Sequence, residues 1–297
     1  MQRYSSNRRK YKMKITILGS SGQIGAYLTE YLRKKGHVVE EFDVVNGPSQ
    51  DMTVIPNQYL EFKIRDSDFV FFLAFDVGGS RYLKKYQHTF QFIDNNTRLM
   101  ANAFKLLQKY NKRFIFASSQ MSNMSYSPYG VLKNVGELYT KSLKGLIVKF
   151  WNVYGIENDH EKAHVITDYI RKGFETGLID MLTDGQEERE FLYAEDCCEA
   201  LESIMENYTD FTSEDNLHIT SYHPTKIIDI ANMIVGQFNL IGKYDVKLQP
   251  STEKDSVQMD KKNRPDLYLS KWWIPKTTID QGISKVFKNM EKNYVSV

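Results

Sequence analysis

The sequence predicts an α/β fold, a doubly wound parallel sheet followed by a smaller C-terminal α/β lobe. Three observations carry this expectation. Short apolar runs alternate with stretches of helical periodicity through the first half of the chain, the rhythm of strand–helix–strand units. The first of these runs passes directly into a glycine triplet. The run DFVFFLAF at 68–75 is almost continuously apolar, as a strand buried on both faces of a parallel sheet requires.

Taken in order, Lys14–Leu18 (KITIL) is the first strand, and Ile24, Leu28, Tyr31 and Leu32 follow at helical spacing. Val38–Phe42 is the second strand and 68–75 the third. Residues 92–110 read as a long helix with Leu99, Ala103, Leu106 and Leu107 turned inward, and 113–117 as the next strand. Pro128 opens a helix through Ser142; proline at a first turn sacrifices no hydrogen bond. Residues 146–151 form a further strand. Beyond Gly155 the rhythm loosens, with helices expected at 164–175, 195–207, 225–239 and 278–292 and short strands between them. This gives a division into 13–155 and a smaller lobe, 156–297, interleaved with it in space. Residues 1–12 carry Arg3, Arg8, Arg9, Lys10 and Lys12 and no acid, and are expected to be a disordered basic tail.

Composition narrows the function. In 297 residues, 41% apolar and 26% charged, the chain has the balance of an ordinary globular protein. A net charge of +2 gives no general pull toward nucleic acid or a membrane surface. No apolar run reaches the length of a membrane span. Its two cysteines, Cys197 and Cys198, are adjacent, which excludes a disulfide scaffold. The basic tail has no apolar segment behind it, so it is not read as a secretory signal, and a cytoplasmic protein is expected. Histidines and carboxylates lack a recognisable ligand spacing, so no metal is expected.

Gly19, Gly22 and Gly25 stand in ILGSSGQIG, after the first strand and at the start of the first helix. In the Rossmann arrangement one such glycine permits the tight turn, one lets a pyrophosphate approach the backbone, and one lets helix and strand pack closely. The helix start then offers free N–H groups to the phosphates. Asp43 ends the second strand, where a carboxylate accepts hydrogen bonds from a ribose diol and repels a 2′-phosphate. No Lys or Arg lies between Lys35 and Lys63 to neutralise such a phosphate. The expected cofactor is therefore NAD.

Tyr129 and Lys133 are four residues apart on the helix opened by Pro128 and share one face. A tyrosine hydroxyl titrates near about 10 and is a poor base at neutral pH. A neighbouring ammonium favours the phenolate. Lowering the value by about three units needs roughly 4 kcal/mol, which lysine and a cationic nicotinamide ring together could supply. Ser119, just past the 113–117 strand, could orient a substrate alcohol toward Tyr129.

These motifs, in this order, resemble the extended short-chain dehydrogenase/reductases, the NAD-dependent epimerases and dehydratases of nucleotide sugars. The likeness runs through GSSGQIG, DFVFFLAF, FIFASS, SPYGVLK, FWNVYG, REFLYAED and NRPD, nearly the whole chain from Met13. It implies Ser119, Tyr129 and Lys133 as the catalytic residues, with Tyr129 the acid/base and Lys133 also holding the nicotinamide ribose. It implies Gly19, Gly22, Gln23, Ile24, Gly25, Asp43, Leu73, Ala74 and Asn95 around the cofactor, with Asp51 and Met52 flanking the adenine. It implies Asn152, Arg189 and Arg264 on the nucleotide-sugar diphosphate, the two arginines as a clamp. A homodimer through the 92–110 and 127–142 helices is also implied; Val135, Leu138 and Tyr139 are apolar outer positions there.

Departures from the family pattern refine the reaction. Dehydratases carry an Asp-Glu pair directly after the catalytic serine or threonine, and 3,5-epimerases a cysteine at the second of these positions. Here Gln120 and Met121 stand there, and neither side chain can donate and accept a proton as an acid–base pair. Hydride transfer at one carbon remains: dehydrogenation, 4-epimerisation or keto reduction. Within the family the chain is similar to bacterial dehydrogenases that oxidise C4 of GDP-linked heptose in surface-polysaccharide pathways. Only nine residues separate Ser119 from Tyr129, against a couple of dozen usually. The segment 155–164, with His160 and His164 as candidate substrate contacts, could cover the pocket in place of the missing loop.

Overall fold

The computed structural model describes residues 12–157, 159–258 and 263–295. The expected basic tail lies, Lys12 apart, outside the described residues. The first half contains β1 (Lys14–Leu18), α1 (Gln23–Lys34), β2 (Val38–Phe42), α2 (Gln58–Arg65), β3 (Phe69–Phe72), α3 (Ser80–Tyr86), α4 (Phe90–Lys109), β4 (Phe114–Ser119), α5 (Pro128–Ser142) and β5 (Leu146–Phe150). The second contains β6 (Asn152–Tyr154), α6 (Val165–Thr176), β7 (Leu178–Asp180), β8 (Glu188–Tyr193), α7 (Ala194–Glu206), β9 (Leu217–Ile219), β10 (Pro224–Lys226), α8 (Ile227–Ile241), β11 (Lys247–Gln249) and α9 (Ile279–Val295).

Six parallel strands form the central Rossmann-like sheet in the order β2-β1-β3-β4-β5-β9. Strand alternation splits its side chains between two cores. Phe69 and Phe71 join Ile15, Ile17, Ile115 and Val148 under α1 and α7, whereas Val70 and Phe72 join Phe104, Phe114 and Phe116 under α2, α4 and α5. The second half thus returns to the first: α7 covers one face of the sheet and β9 completes its edge. The smaller lobe has its own core, where Ile166, Ile170 and Phe174 of α6 meet Ile230, Ile234 and Phe238 of α8 and Ile283 and Phe287 of α9. Beside it stand a three-stranded sheet, β10-β8-β6, and the pair β11-β7.

Local chemistry sets the helix starts. Thr89 caps α4 by accepting from the Phe92 N–H, and Ser127 caps α5 by accepting from the Gly130 N–H, with Pro128 at the first position. The apolar run at 68–75 is strand only over Phe69–Phe72. After Phe72 one more ladder bond, Leu73 N–H to the Leu18 carbonyl at 2.9 Å, brings the chain against Gly19 and ends the strand. Helices α2 and α3 arise in stretches for which the sequence offered no clear periodicity.

Helix α5 lies unusually close to β4. A Cβ placed on Gly136 would stand 2.2 Å from Cζ of Phe116, which is fully buried against Phe72 and Phe104. That ring has no room to yield. Gly136→Ala is therefore expected to destabilise the fold by about 1–3 kcal/mol, the usual cost of overpacking, seen as a lower midpoint in urea denaturation.

Candidate active site

The dinucleotide end is built where β1 turns into α1. Gly19 takes a left-handed φ of +88°, and a Cβ there would lie 2.6 Å from the Ala74 nitrogen. A Cβ on Gly25 would lie 2.0 Å from the Gly19 carbonyl oxygen, so helix and loop can pack only on glycine. Gly22 begins α1 without a side-chain cap, leaving first-turn N–H groups available to an anion. Ser20 Oγ is buried beside them with no hydrogen-bond partner among the described residues. Leu73 and Ala74 form the floor of this loop. Ile24 packs into the core, and the Gln23 amide, oriented to satisfy both neighbours, bridges the Val153 carbonyl and the Gly155 N–H at 3.2 Å each.

Asp43 leaves β2 and receives the N–H groups of Ser21 (2.9 Å) and Val45 (3.2 Å). Glu41 stands on the same strand, and Arg33 is already engaged by Glu41 and the Val39 carbonyl. This acidic strand end, with its nearby guanidinium occupied, fits the ribose diol of NAD better than a 2′-phosphate. The glycine cradle and the unpartnered Ser20 hydroxyl fit a bound pyrophosphate. Three further expected cofactor contacts have partners within the protein. The Asp51 carboxylate turns back onto Thr53, accepting from its N–H and hydroxyl at 2.8 and 2.7 Å. Met52 is buried, its carbonyl accepting from Asn102. Asn95 bonds to Gln91 and Asp76, not to Lys133.

Ser119, Tyr129 and Lys133 come together at the C-terminal end of β4, and all three are buried. Ser119 Oγ accepts the Met121 N–H at 3.1 Å, and its hydroxyl stands near enough to the Tyr129 phenol to favour the phenolate. Lys133 Nζ donates to the Ala117 carbonyl at 2.6 Å and lies 3.8 Å from the centre of the Phe75 ring and 5.8 Å from that of Tyr129. The chain's own groups do not acidify the phenol. Burial pushes the Tyr129 hydroxyl up to about 12, with only the neighbouring Ser119 hydroxyl opposing it. Burial also pushes Lys133 down to about 7, against the pull of Glu137. Both charged forms lose hydration here, so lysine alone does not make the phenol a base.

A cavity beside this centre is lined by Asn152, Arg189, His164, Arg81, Lys84 and Gln258, among others. Arg189 is held by Asp255 and donates to the carbonyls of Glu188 (2.6 Å) and Gln258 (3.1 Å). Arg264 is exposed, makes no ion pair among the described residues and does not line this cavity. His160 is exposed and also outside it. His164 lines it and bonds Glu157 through Nδ1 at 2.6 Å; burial disfavours its charge, but the carboxylate outweighs burial and raises its pKa. The segment carrying His164 is latched to the opposite wall. The Gly79 N–H bonds the Lys162 carbonyl at 2.9 Å, Lys162 Nζ bonds Asp76 at 3.0 Å, and Lys85 pairs with Glu161 at 3.2 Å. Sequence reasoning missed Asp76, Lys162 and Asp255, whose roles depend on contacts across long chain separations. Gln120 joins Gln258 and Asn263 through side-chain amides.

The depressed Lys133 value has a consequence for stability. Because the folded value lies below the unfolded one of 10.5, the unfolded chain binds more protons between pH 7 and 10.5. The Lys133 contribution is thus complete above the unfolded value and is lost as pH falls toward the folded one. Urea denaturation at pH 7 to 9 should show stability rising more steeply in the NAD-free protein than in Lys133→Met, by up to about 1.4 kcal/mol per pH unit. Parallel curves would refute this.

A family model, the NAD dependent epimerase/dehydratase family, matches residues 15–219. Among curated relatives, a GDP-L-fucose synthase of Sinorhizobium fredii is 25% identical over 48% of this chain, a match spanning 45% of that protein, less than half its length. A UDP-N-acetyl-alpha-D-glucosaminuronate decarboxylase of Bacillus cytotoxicus is 26% identical over 66% of this chain and 72% of its own. Protein CapI of Staphylococcus aureus is 23% identical over 92% of this chain and 97% of its own. Two solved reductases of Campylobacter jejuni share the fold. One, for GDP-6-OMe-4-keto-L-xylo-heptose, has a TM-score of 0.77 at 18% identity, covering 95% of this chain and 98% of that one. The other, a GDP-mannoheptose C4 reductase with NADP bound, has a TM-score of 0.75 at 19% identity with the same coverage. The family match takes in more than half of the chain, from β1 to β9, and this protein belongs to the NAD-dependent epimerase/dehydratase family.

Proposed function

We propose that this enzyme oxidises the C4 hydroxyl of a nucleotide-linked sugar, of GDP-heptose type, to a 4-keto sugar in surface-polysaccharide synthesis. The observation that carries this reading is the buried cluster of Ser119, Tyr129 and Lys133 at the end of β4, followed directly by Gln120 and Met121. Ser119 orients the substrate hydroxyl, and Tyr129 takes its proton. Lys133 holds the nicotinamide ribose and, when protonated, supports the phenolate. NAD, when bound, supplies the hydride acceptor. Gln120 and Met121 offer no acid or base for eliminating water or inverting a neighbouring carbon. Asn152 and Arg189 line the cavity that would receive the diphosphate; guanidinium forks suit that group. Arg264 would join them only by moving inward.

Residues 13–155 serve as the dinucleotide-binding part and 156–297 mainly as the substrate part. A homodimer through α4 and α5 is supported by their exposed apolar positions, Ile93, Val135, Leu138 and Tyr139. A cytoplasmic setting matches the nucleotide-sugar substrate.

Incubation with a panel of GDP- and UDP-sugars tests the reaction. Loss of two hydrogens by mass spectrometry, with a rise in NADH absorbance, is expected. A product isomer of unchanged mass would instead make the enzyme a 4-epimerase. Tyr129→Phe should lower turnover at least about 100-fold, the scale of a removed acid–base group, while NAD stays bound. Full activity in that variant would sink the catalytic assignment.

A further inference from the structure

Behind the catalytic lysine the fold buries a second charge. Glu137 lies one helical turn beyond Lys133 on α5, and the two residues are 8% and 3% exposed. Its carboxylate accepts Ser118 Oγ of β4 at 2.5 Å and pairs with Lys149 Nζ of β5 at 3.4 Å. His218 of β9 also faces this group, but its ring accepts from the Trp151 indole (3.3 Å) and the Asp266 N–H (3.2 Å). Burial and Lys149 hold its pKa down to about 4, so it brings no charge. Lys133 itself meets Tyr129 on its own helix, the Ala117 carbonyl and Phe116 ring of β4, and the Phe75 ring after β3. Glu137 is thus the one carboxylate that acts on Lys133 among these described neighbours. Lys149 does not require it, because its side chain keeps 23% exposure and can be hydrated.

We propose that Glu137 is a positioning residue for the catalytic pair. Its carboxylate, held by Ser118 and shared with Lys149, favours the charged form of Lys133 that supports the Tyr129 phenolate. Burial removes water from Lys133 and favours the neutral amine. A fixed negative charge one turn away opposes that loss without touching substrate. Lys149 shares the same carboxylate and offsets part of its charge, so the two neighbours act on Lys133 in opposite senses.

This inference rests on reading Tyr129 and Lys133 as the catalytic pair, but its test needs no turnover. Full-length protein carrying ¹³Cε-lysine is titrated by NMR with and without NAD, the Lys133 signal being identified by its loss in Lys133→Met. Glu137→Gln should lower the Lys133 pKa by about one unit, a tenfold drop in proton affinity. Lys149→Met should raise it. An unchanged Lys133 titration in Glu137→Gln, or shifts of the same sign in both variants, overturns the proposal. If Glu137→Gln does not fold, Lys149→Met decides: a rise supports the proposal, and no change or a fall overturns it. An inactive sugar panel leaves this result untouched, so the two readings fail separately.

Discussion

The close seating of α5 on β4 is the constraint on which the rest of the site depends. Gly136 stands where any side chain would meet the Phe116 ring, and a Cβ on Gly130 would lie 2.2 Å from the Met121 carbonyl oxygen. With the helix this near, Lys133 reaches the Ala117 carbonyl and the Tyr129 phenol is brought beside Ser119. The same closeness excludes water, and that exclusion raises the phenol and depresses the ammonium. Structure and reactivity are in tension here. The geometry suited to proton transfer is also the one that least tolerates the charges, and it becomes useful only when further charge is supplied nearby.

Much of this was legible in the sequence, for physical reasons. Strands buried on both faces write continuous apolar runs, so β1, β3, β4 and β5 stood out. The glycine triplet announced its turn because no other residue fits where Gly19 and Gly25 sit. The clustering of Ser119, Tyr129 and Lys133 followed from a strand end and one helical face. What stayed hidden depends on side-chain partners far apart in the chain. Periodicity does not say that Asp51 turns onto Thr53, that Asp255 engages Arg189, or that Arg264 and His160 remain at the surface. The strands β6 and β10, three residues each, likewise are too short to show an alternation.

The expectation of an acidified phenol counted on lysine and a cationic nicotinamide ring together; lysine by itself is outweighed by burial. Spacing gives proximity, and proximity suggests Coulomb attraction. It says nothing of burial, which here is the larger effect on both groups. Polar neighbours on three strands, Ser118, Lys149 and His218, surround the next carboxylate along the helix and belong to the same electrostatic unit.

The latch between the 159–164 segment and the start of α3 has a separate implication. Gly78 and Gly79 are small because the backbone of Lys162 and Ala163 lies against them: a Cβ on either would come within 2.8 Å of that backbone. The two segments are about eighty positions apart and yet form one mechanical piece of the pocket wall. A chimera that imports either segment alone from a relative would mismatch at this seam. Grafting a foreign sugar specificity onto this scaffold therefore means exchanging both stretches as a matched pair.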